Sequence, residues 1–303
     1  MKIQQIGPMQ IEKVVEIDRL AVEPTSLFGN VTPDIIERYR GWLGPALLEA
    51  GTDRFILSFH SYLIRTPHHT ILVDTCNGNH KNRPSMPPWH MLDTAYLANL
   101  ARLGVAPEDI DYVMCTHLHA DHVGWNTRLA DSKWVPTFPK ARYLMARTEF
   151  EHFEAMHRRN PDQPVNRGSF TDSVLPVAAH GQVDLIEDSH VIERHLEDGI
   201  WLEPAPGHSP GNVSVHVKAG GRHALMSGDV IHHPIQFAEP ELANPADIDK
   251  TLALRTRLDL MRRYADTDTL LLAAHFPEPT AGWIRSHGER FRFRFDTEMR
   301  SAA

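Results

Sequence analysis

The stretch His117-Leu118-His119-Ala120-Asp121-His122 holds four candidate metal ligands in six residues, directly after the apolar run at residues 112–116. Its first two histidines are two positions apart, so on an extended backbone their side chains project to the same side. The aspartate and the last histidine follow where the chain turns, and they can serve a second position beside the first. Imidazole nitrogen and carboxylate oxygen suit zinc, iron, manganese or cobalt, and the stretch lacks the thiolates of a closed structural zinc site. The sequence therefore predicts an open, catalytic metal centre.

The same six residues resemble the HxHxDH motif of the metallo-β-lactamase superfamily, whose fold is a four-layer αβ/βα sandwich of the α+β class. That family needs three more ligands downstream, each on a loop that follows a strand. Candidates occur in the right order: His208 in residues 206–211, Asp229 in 227–230 and His275 in 273–277. The resemblance extends over about residues 55–277 and predicts a single domain over residues 1–303.

The resemblance also implies a dinuclear metal site and the chemistry of a metal-dependent hydrolase. It assigns to the first ion His117, His119 and His208, to the second ion Asp121, His122 and His275, and to the bridging position Asp229. Zinc is the expected metal, with manganese, cobalt and iron as alternatives. A hydroxide that bridges the two ions would attack a carbonyl or phosphoryl centre, and Asp121 is the catalytic group expected to pass the proton to the leaving group.

The residue three positions after Asp229 bears on the substrate. Lactonases that open acyl-homoserine lactones have a tyrosine there, whereas this chain has His232. Residues 228–237 are more similar to the branch that contains methyl parathion hydrolase and related lactonases and arylesterases. His232 is therefore a second catalytic candidate, which would donate a hydrogen bond to a carbonyl or phosphoryl oxygen. The expected small-molecule substrate is a lactone or an ester, and a phosphotriester is a further option.

The same fold has members with other chemistries. An iron-dependent oxidative enzyme, either a persulfide dioxygenase or a di-iron type, is the main alternative. The complete set of seven ligands disfavours the mononuclear dioxygenase, and no flavin-binding extension for the di-iron type is recognisable. A β-lactam substrate is disfavoured because the ligands match the lactonase set and no secretion signal is recognisable.

Two further residues are expected beside the metal loop. Asp74 leaves a strand-like run where the family has an acidic residue that braces a ligating histidine, although a simple turn residue is the local alternative. Trp125 follows the loop directly, and it either lines a substrate pocket or covers the loop from behind.

Composition excludes some functions. The net charge of −8 offers no basic surface for nucleic acid, and no apolar stretch approaches the roughly 18 residues of a membrane span. We expect a cytoplasmic protein in which Cys76 and Cys115 are reduced core residues. The segment at about residues 20–53 contains Leu27, Phe28 and Trp42, so it could form a cap over the site or the arm of a homodimer.

Hydrophobic patterning predicts the elements that carry these residues. Strands are predicted at 54–65, 70–74, 112–116, 142–146, 212–218 and 223–227, and helices at 34–40, 45–49, 92–103, 148–157 and 246–264. Thr148 is predicted to cap the helix that it begins. The proline-rich residues 80–91 are predicted to form an irregular surface loop near the site.

Overall fold

The computed structural model describes residues 1–195 and 198–296, which divide into two compact units. The first unit comprises residues 2–17 and 59–190. The second comprises Met1, residues 18–58 and the described residues from 191 onward. Strands and helices are interspersed in both units, which confirms the predicted α+β class.

The strands and helices are numbered in chain order. Up to residue 190 the strands are β1 (Gln4–Ile6), β2 (Met9–Val22), β3 (Phe55–Arg65), β4 (Thr70–Val73), β5 (Tyr112–Cys115), β6 (Thr127–Ala130), β7 (Lys133–Pro136), β8 (Arg142–Ala146) and β9 (Val183–Ile186). From residue 191 they are β10 (Val191–His195), β11 (Asp198–Pro204), β12 (Val213–Ala219), β13 (Arg222–Met226), β14 (Leu270–Leu272), β15 (Ala281–His287) and β16 (Arg290–Phe295). The α-helices are α1 (Pro24–Leu27), α2 (Pro33–Leu47), α3 (Tyr96–Arg102), α4 (Ala120–Val123), α5 (Arg147–Arg159), α6 (Leu175–Ala179), α7 (Ile235–Ala238) and α8 (Lys250–Tyr264).

The sheet of the first unit brings Asp74 beside the metal loop. Within the described residues its seven strands run in the order β1-β2-β3-β4-β5-β8-β9, and β4, β5 and β8 are parallel. These three strands are almost wholly buried, which explains why they are continuous apolar runs rather than alternating ones. Val73 of β4 lies beside Met114 of β5. Because the two strands are parallel and in register, the residues that follow them leave the sheet at the same edge.

The sheet of the second unit brings the downstream ligands together by the same principle. In the described part of the chain its strand order is β10 to β16 in sequence, with β13 and β14 parallel and the other neighbours antiparallel. Pro204 at the end of β11 pairs with Val213 at the start of β12, which runs beside the end of β13. The loops after β11, β13 and β14 therefore leave at one edge, and they carry His208, Asp229 and His275.

The core of the first unit lies between its sheet and the helices packed on it. Val113 and Tyr143 from the sheet belong to the same buried cluster as Leu100 of α3 and Phe153 of α5. Burying an aliphatic or aromatic side chain of this size stabilises a fold by about 1.5–3 kcal/mol. This packing fixes the end of β5, from which the metal loop begins.

Several predicted helix boundaries are wrong in informative ways. The helices predicted at 34–40 and 45–49 are found as two helical segments of α2, because the backbone at Gly44 (φ 56°, ψ −173°) is not helical and interrupts α2 just before Pro45. The helices predicted at 92–103 and 246–264 are shorter, since α3 begins at Tyr96 and α8 begins at Lys250. Thr148 is not a cap, because α5 begins one residue earlier and its N-cap position is Ala146.

Residues 80–91 are not simply a surface loop. Lys81 and Arg83 are buried, and Arg83 makes two hydrogen bonds of 2.6 and 2.8 Å to the carboxylate of Asp172. The Lys81 ammonium donates to Thr127 Oγ1 (2.6 Å) and lies 3.5 Å from the ring centroid of Trp134. Burial lowers the pKa of Lys81 to about 7. The charged side chains of Lys81 and Arg83 thus anchor residues 80–91 to parts of the unit that are distant in sequence.

The segment at residues 20–53 buries part of its apolar surface within its own unit. Leu27 and Phe28 are buried, and the Phe28 ring packs edge-on against Phe55 at a centroid distance of 5.9 Å. Trp42 is partly exposed and is covered by the guanidinium of Arg292 at 5.8 Å. Of the three apolar residues that suggested a cap or a dimer arm, Leu27 and Phe28 are therefore already packed, and Trp42 is partly covered.

Two predictions from composition can be compared with the described residues. Cys76 and Cys115 are both buried free thiols, as predicted. None of the helices in the described ranges has both the length and the apolar character needed to cross a bilayer.

Candidate metal centre

The four candidate ligands of the first unit form one cluster at the end of β5. His119 occupies the N-cap position of the short helix α4, and Asp121 and His122 lie within that helix. The ring centroid of His117 is 4.7 Å from that of His119 and 4.0 Å from that of His122. Oδ2 of Asp121 is 3.8 Å from Nε2 of His122. The structure thus brings all four predicted side chains of this motif together.

Asp74 contacts this cluster through both carboxylate oxygens. Oδ1 accepts a hydrogen bond from the backbone N–H of Thr116 (2.7 Å), and Oδ2 lies 2.8 Å from the Thr116 hydroxyl and 2.8 Å from Nδ1 of His122. With Nδ1 directed to Asp74, Nε2 is the nitrogen of His122 that can face a metal ion. The backbone at Asp74 is left-handed (φ 58°), an uncommon conformation for a residue other than glycine.

The loop after β4 also contacts the metal loop through its backbone. Thr75 N–H donates to His122 C=O (2.7 Å), and Gly124 N–H donates to Cys76 C=O (2.7 Å). The two chains approach so closely that a Cβ at position 124 would lie 1.9 Å from the backbone of Asn77. Glycine is therefore required at position 124 by close approach, not by its φ of −58°.

Trp125 covers the metal loop from inside the unit. Its indole is buried, stacks on Tyr96 at a centroid distance of 5.3 Å and donates through Nε1 to Glu16 (2.7 Å). Glu16 also accepts from the backbone N–H groups of Asn77 (2.9 Å) and Gly78 (3.0 Å). Burial raises the pKa of the Glu16 carboxyl, while these hydrogen bonds oppose that effect.

Sequence reasoning missed Glu16 because the pattern of β2 points the other way. Alternation along the strand groups Glu16 with Glu12 and Val14, a face on which only Val14 is apolar. Such a face is expected to meet solvent, yet all three residues are buried. The buried Glu16 carboxylate is accepted in the fold because partners from distant segments donate hydrogen bonds to it.

The second unit collects its ligands around Asp229. Three imidazole nitrogens lie close to its carboxylate: Nε2 of His208 at 3.4 Å from Oδ2, Nε2 of His232 at 3.3 Å from Oδ2, and Nε2 of His275 at 3.1 Å from Oδ1. All four residues are buried. Burial lowers the pKa of His232, although the Asp229 carboxylate opposes this shift. His232 therefore lies beside all three predicted metal ligands of this unit, His208, Asp229 and His275.

In His208 and His275 the other ring nitrogen faces a protein acceptor. Nδ1 of His208 lies 2.8 Å from Oδ1 of Asp247, and Nδ1 of His275 lies 3.4 Å from the carbonyl oxygen of Ser58. Asp247 was missed because it falls in the first turn of the helix predicted at 246–264, where an acidic residue is expected to interact favourably with the helix dipole. In the structure the cap is Asp249, and Asp247 is turned to the histidine.

These donor sets fit divalent metal ions. With metal–nitrogen bonds of about 2.0–2.1 Å, two ligands of one tetrahedral ion lie roughly 3.3 Å apart. The distances from Nε2 of the two candidate ligands His208 and His275 to the Asp229 carboxylate are 3.4 and 3.1 Å, which match that spacing. The first unit offers three imidazoles and one carboxylate in its cluster, also without a thiolate. This chemistry suits zinc and its first-row neighbours.

Comparisons with known proteins identify the family. The sequence profile of the metallo-beta-lactamase superfamily matches residues 59–275. The chain is 28% identical over 170 residues to an N-acyl homoserine lactonase of Bacillus thuringiensis, a match that covers 52% of this chain and 57% of the lactonase. It is 23% identical over 252 residues to a probable metallo-hydrolase of Mycobacterium tuberculosis, covering 72% of this chain and 74% of that protein. The chain thus matches little more than half the length of the lactonase relative.

The fold has close counterparts among solved structures. The structure of AidC, a dizinc quorum-quenching lactonase in complex with a product, superposes with a TM-score of 0.77 over 97% of both chains at 17% identity. At that identity the likeness concerns the fold. Together with the match of the profile over residues 59–275, it confirms the predicted resemblance: this chain belongs to the metallo-beta-lactamase superfamily.

Proposed function

We propose that this protein is a dinuclear metal-dependent hydrolase that cleaves a lactone or an ester. The observation that carries the proposal is that Nε2 of His208 and Nε2 of His275 lie 3.4 and 3.1 Å from the carboxylate oxygens of Asp229. Two buried imidazoles that are held through Nδ1 beside a buried carboxylate form a donor set suited to a cation. The seven ligands proposed are His117, His119, Asp121, His122, His208, Asp229 and His275.

The metal ions, for which zinc is proposed, would activate a water molecule and polarise the scissile bond when bound. The chain's own residues have separate tasks. Asp121 lies at the partly exposed side of the metal loop, where its carboxylate can accept a proton and return it to a leaving oxygen. His232 can donate a hydrogen bond to the substrate oxygen on which charge develops. Asp74 holds His122 through Nδ1 and so keeps Nε2 available for ligation.

The lactone is proposed from the relatives. An N-acyl homoserine lactonase is a sequence relative, and a lactonase is a structural counterpart. Because His232 stands where the resemblance to acyl-homoserine lactonases leads us to expect a tyrosine, we keep the ester and phosphotriester substrates of the methyl parathion hydrolase branch within the proposal. A cytoplasmic location, a single domain over residues 1–303 and a homodimer through residues 20–53 are also kept as proposals. Light scattering that shows a monomer at micromolar concentration would exclude the homodimer.

The test is a hydrolysis panel on zinc-loaded protein with a γ-lactone, an aryl ester and a phosphotriester. We expect turnover of the lactone or the ester that is lost on chelation and restored by zinc. His232→Gln should reduce kcat by at least roughly tenfold while leaving zinc content unchanged, since its task is toward the substrate. Iron-loaded protein without hydrolytic activity on any of the three substrates would instead support the oxidative chemistry of the same fold.

A further inference from the structure

We propose that Asp247 is a positioning residue that fixes the tautomer and orientation of His208, so that Nε2 of this imidazole is presented for metal ligation. The inference rests on the proposed metal-dependent function and adds a residue to it. Asp247 is buried, and its Oδ1 lies 2.8 Å from Nδ1 of His208. A carboxylate at this distance favours the tautomer with the proton on Nδ1, which leaves the Nε2 lone pair for a metal.

The second oxygen of Asp247 is held just as firmly. Oδ2 accepts the backbone N–H of Asn244 (3.0 Å) and lies 3.8 Å from the guanidinium of Arg257. The carboxylate therefore cannot rotate without breaking contacts on both oxygens. Because its own orientation is fixed in this way, the Asp247 carboxylate can fix the orientation of the His208 ring.

The backbone on either side of His208 is tied to the same short segment. Ile248 N–H donates to His208 C=O (3.1 Å), and Asp249 N–H donates to Gly207 C=O (3.0 Å). A Cβ at position 207 would lie 2.3 Å from the backbone nitrogen of Ala253 in α8, so glycine is needed for the loop to approach this closely. Residues 247–249 thus hold both the backbone and the ring of this ligand.

Arg257 contacts both Asp247 and the loop that carries Asp229. Its guanidinium is buried in α8, where Nε donates to Val230 C=O (2.9 Å) and one terminal nitrogen donates to Pro240 C=O (2.7 Å) and Leu242 C=O (3.1 Å). The charges of Arg257 and Asp247 compensate each other inside the protein. One buried cation therefore supports the segment after Asp229 as well as the carboxylate that faces His208.

The first test is the tautomer of His208 in metal-free wild-type protein labelled with 15N-histidine. Long-range 15N–1H correlation spectra distinguish the two tautomers, and the His208→Gln variant assigns the signals. We expect the proton on Nδ1. A proton on Nε2 would overturn the inference, and this measurement needs no variant of Asp247 that folds.

The second test compares zinc affinity, by competition with a chromophoric chelator, in wild type, Asp247→Asn and the matched control Asp249→Asn. Asparagine at position 247 retains the shape but has only one acceptor oxygen for two donors. Removing a brace of this kind lowers metal affinity about 10–100-fold, so we expect that loss for Asp247→Asn. The side chain of Asp249 caps α8, and Asp249 holds the Gly207 carbonyl through its backbone N–H, which asparagine retains. Asparagine caps helices as well as aspartate, so the control should bind zinc like wild type.

The outcomes separate the inference from the proposed function. Wild-type protein that binds zinc and hydrolyses substrate, beside an Asp247→Asn variant with unchanged zinc affinity, would overturn the inference alone. Wild-type protein with the predicted tautomer but no zinc binding would overturn the proposed function, and with it the role of Asp247 toward a metal.

Discussion

His233 shows how one buried side chain ties the stability of the protein to pH. Its Nδ1 accepts the backbone N–H of Ile235 (3.3 Å), its Nε2–H donates to Leu47 C=O (3.2 Å), and its ring packs on Phe55. This pattern is complete only in the neutral tautomer. Burial lowers the pKa of His233 to about 3, against 6.5 for the exposed group.

The sign of the pH dependence follows from that difference. A folded-state pKa below the unfolded value gives stability that is fully present above about pH 6.5 and is lost as the pH falls toward 3. One such group costs about 1.4 kcal/mol per pH unit within that window. We expect metal-free wild type to lose roughly 2 kcal/mol more than His233→Gln between pH 7.5 and pH 5, measured by urea unfolding. Equal losses in the two proteins would show that His233 does not carry this effect.

At the scale of elements, the metal loop is held in place by the loop after β4. Asp74, Thr75 and Cys76 each contact residues 116–125 through a side chain or the backbone. Asp74 and Cys76 have left-handed backbones (φ 58° and 50°), a conformation that costs of order 1 kcal/mol or more for such residues. The contacts made by the Asp74 carboxylate offset that cost.

The close approach of these two loops can be tested with two glycine substitutions. Gly124→Ala would place a Cβ 1.9 Å from the backbone of Asn77, so we expect a destabilisation of about 1–3 kcal/mol or more. Gly41→Ala is the control, because Gly41 lies inside α2 and a Cβ there meets nothing within 4 Å. Alanine favours a helix interior by about 1 kcal/mol, so this variant should be as stable as wild type or more so. Equal unfolding free energies for the two variants would contradict the tight packing of the loops.

At the scale of the whole molecule, bound metal should contribute to the stability of the folded chain. A ligand that binds only the folded state at about 1,000 times its Kd stabilises it by about 4 kcal/mol. We therefore expect the Tm to fall on chelation and to recover when zinc is restored. Asp229→Asn should show a smaller shift, since it removes the charge at the centre of the second unit's ligands. An identical Tm with and without chelator in wild type would argue against a stably bound metal.

Sequence patterns pointed to the candidate ligands but not to the residues that hold them. The HxHxDH stretch and the downstream candidates could be proposed because ligation restricts residue types and because strand ends are recognisable. The partners of these residues lie far along the chain: Asp247 is 39 positions from His208, Glu16 is 109 from Trp125, and Asp172 is 89 from Arg83. No local pattern encodes such pairs, because they depend on which elements become neighbours in the fold.

The loop at residues 80–91 was mispredicted for a related reason. Its prolines predicted an irregular surface loop, but Arg83 finds a buried carboxylate there. A charged side chain is buried where the fold brings a partner of opposite charge close. The separation of the helices at 34–40 and 45–49 could be predicted, because Gly44 and Pro45 are local signals that interrupt a helix.

Whether this protein holds two metal ions bridged by Asp229 is tested by the metal content of protein purified without added metal, determined by elemental analysis beside Asp229→Asn prepared identically. We expect about two divalent ions per wild-type chain, mainly zinc, with a clear loss of metal and of all hydrolytic turnover in the variant. Wild type without metal, or a variant with full metal content and full activity, would contradict the assignment of Asp229 as the bridging ligand of a dinuclear hydrolase.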